Sequence, residues 1–548
     1  MATTAATKRL SRERSTLKKK LSDTRKLMKL SRQTVRFSAI AGCALLQLSP
    51  ALQASPKMDL SLTISEFYSD NVGQDETNED DSFITEVNPG ISIADQGAVT
   101  DYNLHYDYRF LEYSNDDYER RKEHNLDARI NRSEFDNTVK LTADARVFNS
   151  EVNTSDSTIG GGITGDSRVQ TIAYGAGASY QSGLRQWHDT KLSASVRHTE
   201  SDNDLTDIDY YQADFTFKEG SRPDNFYWTA TGNTFEDTAD NSSQLGFGRL
   251  GLRFLGDFSV FGQAQYEENV AENSYNFTTS NWGAGVQLQR PNTRIAVAYN
   301  KVEKGDNEDF TSVDLSWTPT VRTSLSAYYT YRFFGESYNL DFTHRTSKLR
   351  NSLTYRDSVT SFAQEGASSA FGFLVCPQGS ADASSCFVPE SLNQPLEPGF
   401  ELVGIQLETI DISEDQTLNR TLNYTSAYSH GKSTITAGFF WNRSKRLNDQ
   451  DFVDKDYDKE LGATLAWAWK IGVRTDFTLS GLYRTTETDT GTPAEILADE
   501  YSTRWTLNRK FTQKISGAIS YTFLDRDSDA LLDSYTEHRI GISGIARF

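Results

Sequence analysis

From Asp59 to Phe548 the chain repeats one pattern. Apolar residues alternate with polar or small ones over stretches of about eight to twelve positions, the period that puts successive side chains on opposite faces of a strand. DLSLTISEF, DYNLHYDYRFLEY, TVKLTADARVF, FSVFGQAQYEE, RIAVAYNKV, LGATLAWAW, DFTLSGLYR and KISGAISYTF are clear examples. Helical spacing at i, i+3 and i+4 is not sustained anywhere in this region. The alternation predicts an all-β protein of about 24 strands, within a range of about 18–26.

The connections between these stretches alternate as well. Long acidic segments such as DNVGQDETNEDD, SNDDYERRKE, RLNDQDFVDKDYDKE, TETDTGTPAEILADE and DRDSDALLDS take turns with short ones such as ADQGAV, RSEFDN, TPTVRT, KIGVRT and NRKFTQK. An even number of strands with long loops at one end and short turns at the other predicts a transmembrane antiparallel up-and-down β-barrel. The long acidic loops are then extracellular and the short turns periplasmic. Only a closed barrel places strands in lipid with every backbone N–H and C=O paired. Composition fits: 37% hydrophobic residues and a mean hydropathy of −0.59 exclude a bundle of membrane helices, whereas 31 Phe, 26 Tyr and 8 Trp supply interfacial aromatic girdles. Trp282, Trp317, Trp441, Trp467, Trp469 and Trp505 all fall on the apolar face.

The amino terminus reads as an export signal. Residues 1–36 carry 12 Lys or Arg against two acids, Glu13 and Asp23, and residues 37–54 (FSAIAGCALLQLSPALQA) carry no charge. A basic region, an apolar core and a small-residue exit predict cleavage near Ala54. Residues 1–54 are therefore an N-terminal extension plus signal peptide, with Met28 an alternative start, and residues 55–548 the barrel. Removing a net charge of +10 (12 cations less two acids) takes the chain from −20 to −30. That charge argues against a nucleic-acid partner. The expected location is the outer membrane of a Gram-negative bacterium, with its lipid, lipopolysaccharide and assembly machinery as partners.

At the other end, HRIGISGIARF alternates up to the last residue. Ile540, Ile542 and Phe548 share one face and are expected to close the barrel against a first strand near Asp59 to Glu66, and to form the strand read by the assembly machinery. With apolar residues facing lipid, alternation sends Arg109, Arg146, Arg197, Gln263, Gln265, Gln287, Gln289, Arg332 and Arg504 to the lumen. Pairing with neighbouring charges accounts structurally for most of these groups; the functional alternative is a hydrated wall offering exchangeable hydrogen bonds to a polar solute or polymer.

About 16–18 strands already enclose an aqueous channel, so about 24 enclose a wide one. The strand pattern starts close to the expected cleavage point, which predicts no plug domain ahead of it. The expected constriction is the longest connection, residues 361–412. It carries Cys376 and Cys386, the two cysteines left after export, expected to form a disulfide in an oxidising compartment and to contribute ~2–3 kcal/mol.

No catalytic or cofactor motif emerges. Gly431-Lys432-Ser433 resembles the end of a phosphate loop, but Ser426 stands where its first glycine belongs. Asp525, Asp527 and Asp529 resemble the start of a calcium loop, but Ala530 replaces its glycine. No cofactor, metal site or enzymatic activity is expected.

The segments ISEFYSDNVGQ, FITEVNPGISI, YDYRFLEYSND, TPTVRTSLSAYYTYRFF and ATLAWAWKIGVRTDFTLSGLYR resemble outer-membrane proteins associated with PEP-CTERM/exosortase systems, a family related to β-barrel porins of exopolysaccharide clusters. The resemblance spans the whole expected barrel and rests on strand and turn patterns. It implies a role beside the export of extracellular polysaccharide or biofilm matrix, with polysaccharide and periplasmic export proteins as partners. The leading expectation is a conduit for such a polymer through a wide, weakly charged lumen. The alternatives are a general diffusion porin, with opposed charges across a constriction, and an outer-membrane hydrolase, with carboxylates and a histidine meeting at the rim.

Overall fold

The computed structural model describes residues 56–77, 79–151, 168–182, 187–201, 207–220, 225–239, 241–270, 277–305, 308–361, 373–377, 400–404, 416–446, 457–488, 495–530 and 533–548. The expected signal region, the expected cleavage near Ala54 and Cys386 lie outside them.

Twenty-six strands follow in order. They begin with β1 (Lys57–Ser69), β2 (Ser82–Gln96), β3 (Thr100–Tyr113), β4 (Arg121–Glu134), β5 (Val139–Glu151) and β6 (Arg168–Ser182). Next come β7 (His188–Ser201), β8 (Asp207–Glu219), β9 (Phe226–Asp237), β10 (Ser242–Leu255), β11 (Phe258–Val270), β12 (Phe277–Arg290) and β13 (Thr293–Lys304). Then follow β14 (Phe310–Thr320), β15 (Thr323–Arg332), β16 (Gly335–Arg345), β17 (Leu349–Ser361), β18 (Phe373–Pro377), β19 (Phe400–Gly404) and β20 (Gln416–His430). The last are β21 (Ser433–Arg446), β22 (Asp458–Lys470), β23 (Thr475–Thr488), β24 (Ile496–Lys510), β25 (Ile515–Ser528) and β26 (Tyr535–Arg547).

Twenty-four of these form one antiparallel sheet in which each strand pairs with its sequence neighbours. β18 and β19 form a separate two-stranded hairpin, so β17 pairs directly with β20. The sheet closes where β1 meets β26, from Ser61 opposite Arg547 to Ser69 opposite Arg539. This register lies slightly further along β1 than the alternation suggested. Phe548 stands just past the strand and donates its N–H to the Leu60 carbonyl at 2.9 Å. With strands ~4.8 Å apart and tilted ~40°, 24 of them give a backbone diameter of about 48 Å.

Because partners opposite each other share a face, the register sorts every strand residue into inner or outer. The outer face carries Ile64, Trp282, Val286, Leu465, Ile540 and Ile542, each more than half exposed. Trp467 and Trp469 stack at 5.8 Å near the turn rim, and the Trp467 indole donates to Ser433 Oγ at 2.7 Å. Such an apolar belt is stable only in lipid.

Glycine has a specific use in the ring. Phe67, Tyr227, Phe261 and Phe440 on the inner face each stand opposite a glycine on the next strand: Gly541, Gly251, Gly285 and Gly462. A Cβ on any of these glycines would lie within 2.6 Å of the facing ring. The ring therefore covers the bare backbone across the strand pair. Phe67 belongs to an inner cluster with Val72, Ile84 and Leu111 near the loop rim of β1 to β3.

The strands run further toward the loop rim than the charged sequence suggested. DRD of DRDSDALLDS lies in β25, ILADE of TETDTGTPAEILADE in β24, and DKE of RLNDQDFVDKDYDKE in β22. Ten to fifteen residues per barrel strand exceed the ~9–11 that cross a bilayer, and the surplus continues the ladder into water. Charged residues there are strand residues.

Candidate functional site: the inner wall

The inner wall is built by every second residue of all 24 strands, and the register puts Arg109, Arg146, Arg197, Gln263, Gln265, Gln287, Gln289, Arg332 and Arg504 on it. They are spread around the ring and do not converge on one spot.

Toward the loop rim, a belt of alternating charge runs along β22 to β4. Arg484 on β23 is 2% exposed, bonds the Glu500 carboxylate on β24, and lies 3.7 Å from Glu460 on β22. Arg526 on β25 lies 3.7 Å from the same Glu500 and 2.7 Å from Asp533. On β26, Arg539 holds Glu537 at 2.7 Å, and Ser69 of β1 donates to Glu537 at 2.6 Å. The belt resumes at Arg109, whose Nε donates to Glu86 at 2.7 Å and whose Nη1 donates to Glu123 at 3.2 Å. Arg121 takes the other oxygen of Glu123 at 2.6 Å. Cation and anion sit on adjacent strands or two residues apart on one strand, so the buried charges are compensated locally.

A second network covers β10 to β15. Arg249 donates to Gln263 at 3.0 Å and reaches Asp314 at 3.3 Å. Gln263 donates to Asn300 at 2.7 Å and to Ser312 at 3.0 Å. Arg332 pairs with the buried Glu267 across 65 residues of sequence. Gln287 donates to Gln289 at 3.5 Å, and Gln265 stands in register between Phe247 and Asn281. On β4 to β8, Arg146 faces Asp127 at 3.4 Å and Arg197 donates to Asp144 at 2.8 Å.

The wall of β20 to β25 below the belt differs. Hydroxyls are frequent: Thr478, Thr506 and Ser520 are successive cross-strand partners, and Thr464, Ser480 and Ser502 share the same inner face. Arg504 stands among them with one side-chain hydrogen-bond partner among the described residues, Thr522 Oγ1 at 3.0 Å. The lumen thus holds many charges, against the weakly charged wall the sequence suggested, yet most are matched in place.

Candidate chemistry is sparse. Among the described residues no three His, Cys, Asp or Glu side chains are grouped to hold a metal ion. Asp525 and Asp527 of the calcium-like motif point outward on β25, while Asp529 accepts from the Leu497 N–H at 2.7 Å. Gly431 and Lys432 form the turn between β20 and β21, where Gly431 adopts a φ of 61°. Cys376 lies on β18, and its expected partner Cys386 falls outside the described residues.

A closed ring of 24 strands with an apolar outer belt and a polar inner wall is an outer-membrane β-barrel of the Gram-negative type. No protein-family model matches the chain, and no curated protein does. Several solved structures resemble it. The siderophore receptor PirA from Acinetobacter baumannii has 9% sequence identity and a TM-score of 0.44, over 90% of this chain and 81% of that one. The F3-3 variant of the FrpB iron transporter from Neisseria meningitidis has 11% identity and a TM-score of 0.46, over 89% and 81%. A loop-deletion mutant of OmpT, an outer membrane protein of Vibrio cholerae, has 10% identity and a TM-score of 0.31, over 90% and 100%.

Proposed function

We propose that the barrel is a conduit for a hydroxyl-rich polymer, of the extracellular polysaccharide class, leaving the cell through the outer membrane. The observation that carries this reading is the division of labour on the inner wall. Charges are compensated by partners on the same strand or within a few strands of it, and a hydroxyl-rich wall from β20 to β25 remains. Threonine and serine hydroxyls trade hydrogen bonds with sugar hydroxyls at little net cost, so a neutral chain slides without being held. A diffusion porin instead sets unmatched charges of opposite sign across a narrow eyelet. The resemblance to PEP-CTERM/exosortase-associated outer-membrane proteins points the same way, and the connection containing Cys376 and Cys386 is the proposed gate. Periplasmic export proteins and lipopolysaccharide are the partners this reading implies.

The test is single-channel conductance of the refolded barrel in planar bilayers, beside a variant lacking residues 366–395, together with matrix polysaccharide released by a strain lacking the gene. Small conductance that rises sharply on deletion, with loss of released polymer, supports a gated conduit. Large steady conductance in both proteins with unchanged polymer release supports a diffusion porin and sinks the proposal.

A further inference from the structure

On the outer face at the loop rim, five side chains stand in one row across five strands: Asp357 on β17, Arg420 on β20, Arg443 on β21, Lys459 on β22 and Glu487 on β23. Three cations are direct cross-strand neighbours, an arrangement that repels. The flanking acids offset the two outer cations: Glu487 takes the Lys459 ammonium at 2.6 Å, and Asp357, which also accepts the Tyr338 N–H at 2.7 Å, lies 3.8 Å from Arg420. Among the described residues Arg443 has no carboxylate partner, and the Nε atoms of Arg420 and Arg443 are both buried without a hydrogen-bond acceptor. A buried guanidinium N–H left unsatisfied is costly unless an acceptor completes it.

Aromatic rings hold the cations in place. The Arg443 guanidinium lies 5.0 Å from the Trp441 ring centre. Arg420 and the Lys445 ammonium approach the Tyr457 ring at 5.3 and 5.4 Å. One step toward the membrane, the same strands present Tyr355, Leu422, Trp441 and Leu461 to lipid. The cationic row therefore sits at the headgroup level of the outer leaflet, directly above acyl chains. Two strands further round, the outer face at this height carries Asp499 opposite Asp527, so the cationic row stops short of β24.

We infer that Arg420 and Arg443, supported by Lys445 and Lys459, form a binding site for the phosphorylated headgroup of an outer-leaflet glycolipid of the lipid A type. Two guanidinium forks match the oxygens of a phosphate monoester, and the aromatic and aliphatic row below accepts the acyl chains of the same molecule. A diacyl phospholipid offers one phosphodiester and a smaller headgroup, and fills fewer of these donors.

The experiment is native mass spectrometry of the full-length protein purified from outer membranes in detergent, titrated with bis-phosphorylated lipid A, dephosphorylated lipid A and phosphatidylglycerol. The wild type is expected to retain bis-phosphorylated lipid A over both others. Arg420→Gln with Arg443→Gln is expected to weaken that retention about tenfold, the loss of a charge-assisted pair. Lys301→Gln, an outward cation on β13, is expected to leave it unchanged. Equal retention by the double variant, or equal retention of phosphatidylglycerol by the wild type, overturns the assignment. Should the double variant not assemble, as judged by heat-modifiable mobility, Arg443→Lys decides. It keeps the charge and removes the fork, so reduced retention supports the site and unchanged retention overturns it.

Discussion

Phe67 on the first strand of the barrel lies over Gly541 on the last, so closely that a Cβ at Gly541 would come within 2.4 Å of its ring. The two residues are direct cross-strand partners at the seam. Gly541→Ala forces the ring away and loosens the pairing that closes the barrel, at an expected cost of ~1–3 kcal/mol. Urea titration of the barrel folded into vesicles measures this. Gly544→Ala, three residues on and facing open space on the outer side, serves as the control and is expected to leave stability unchanged.

Arg109 compensates two buried carboxylates at once. Replacing it by Ala strands Glu86, 1% exposed, leaves Glu123, 6% exposed, to Arg121 alone, and is expected to destabilise the barrel by ~3–5 kcal/mol. Combining Glu86→Leu with Arg109→Met removes the stranded charge, keeps the Arg121–Glu123 pair and is expected to restore most of the loss. Equal instability of the single and double variants in the same titration would show that Arg109 matters through packing instead of charge.

Leu465 faces lipid in the middle of β22, 59% exposed. Leu465→Arg is expected to cost ~2–4 kcal/mol and to slow insertion into vesicles. Its neighbour Thr464 faces the lumen, and Thr464→Ser is expected to behave as wild type. A similar penalty at both positions would contradict the inward and outward division of that strand.

Arg504 is the inner-wall cation left among hydroxyls. Arg504→Gln is expected to lower anion preference, read as a shift in reversal potential across a salt gradient at ~0.1 M, where the screening length is about 10 Å. At ~1 M salt, with screening over about 3 Å, the two proteins should become indistinguishable. A shift that survives high salt would place a bound ion at Arg504.

The barrel was legible in the sequence because lipid on one side and water on the other impose a period of two on every strand, and 24 repetitions leave little ambiguity. The same parity placed Arg109, Gln263 and Arg332 on the wall. It could not say that Arg332 meets Glu267, or that Arg109 joins Glu86 to Glu123, because those pairings depend on register between strands and on tilt around the ring. Glu500, Arg526 and Glu537 escaped the sequence reading for a different reason. They occupy strand ends beyond the membrane, where charged residues look the same as an acidic loop. The outward row of Arg420, Arg443 and Lys459 was hidden in the same way, its members separated by two connections and assembled only by the ladder.

The seam between β1 and β26 also bears on how the polypeptide is threaded. Both strand ends at the seam lie on the turn rim, and Phe548 already bonds the backbone at Leu60. Closed in this way, the ring has no structural first strand. Joining residue 548 to residue 57 through a short linker and opening the chain at the Gly431-Lys432 turn would reproduce the same ladder in a rotated reading order. The wall is thus specified by neighbouring strands alone.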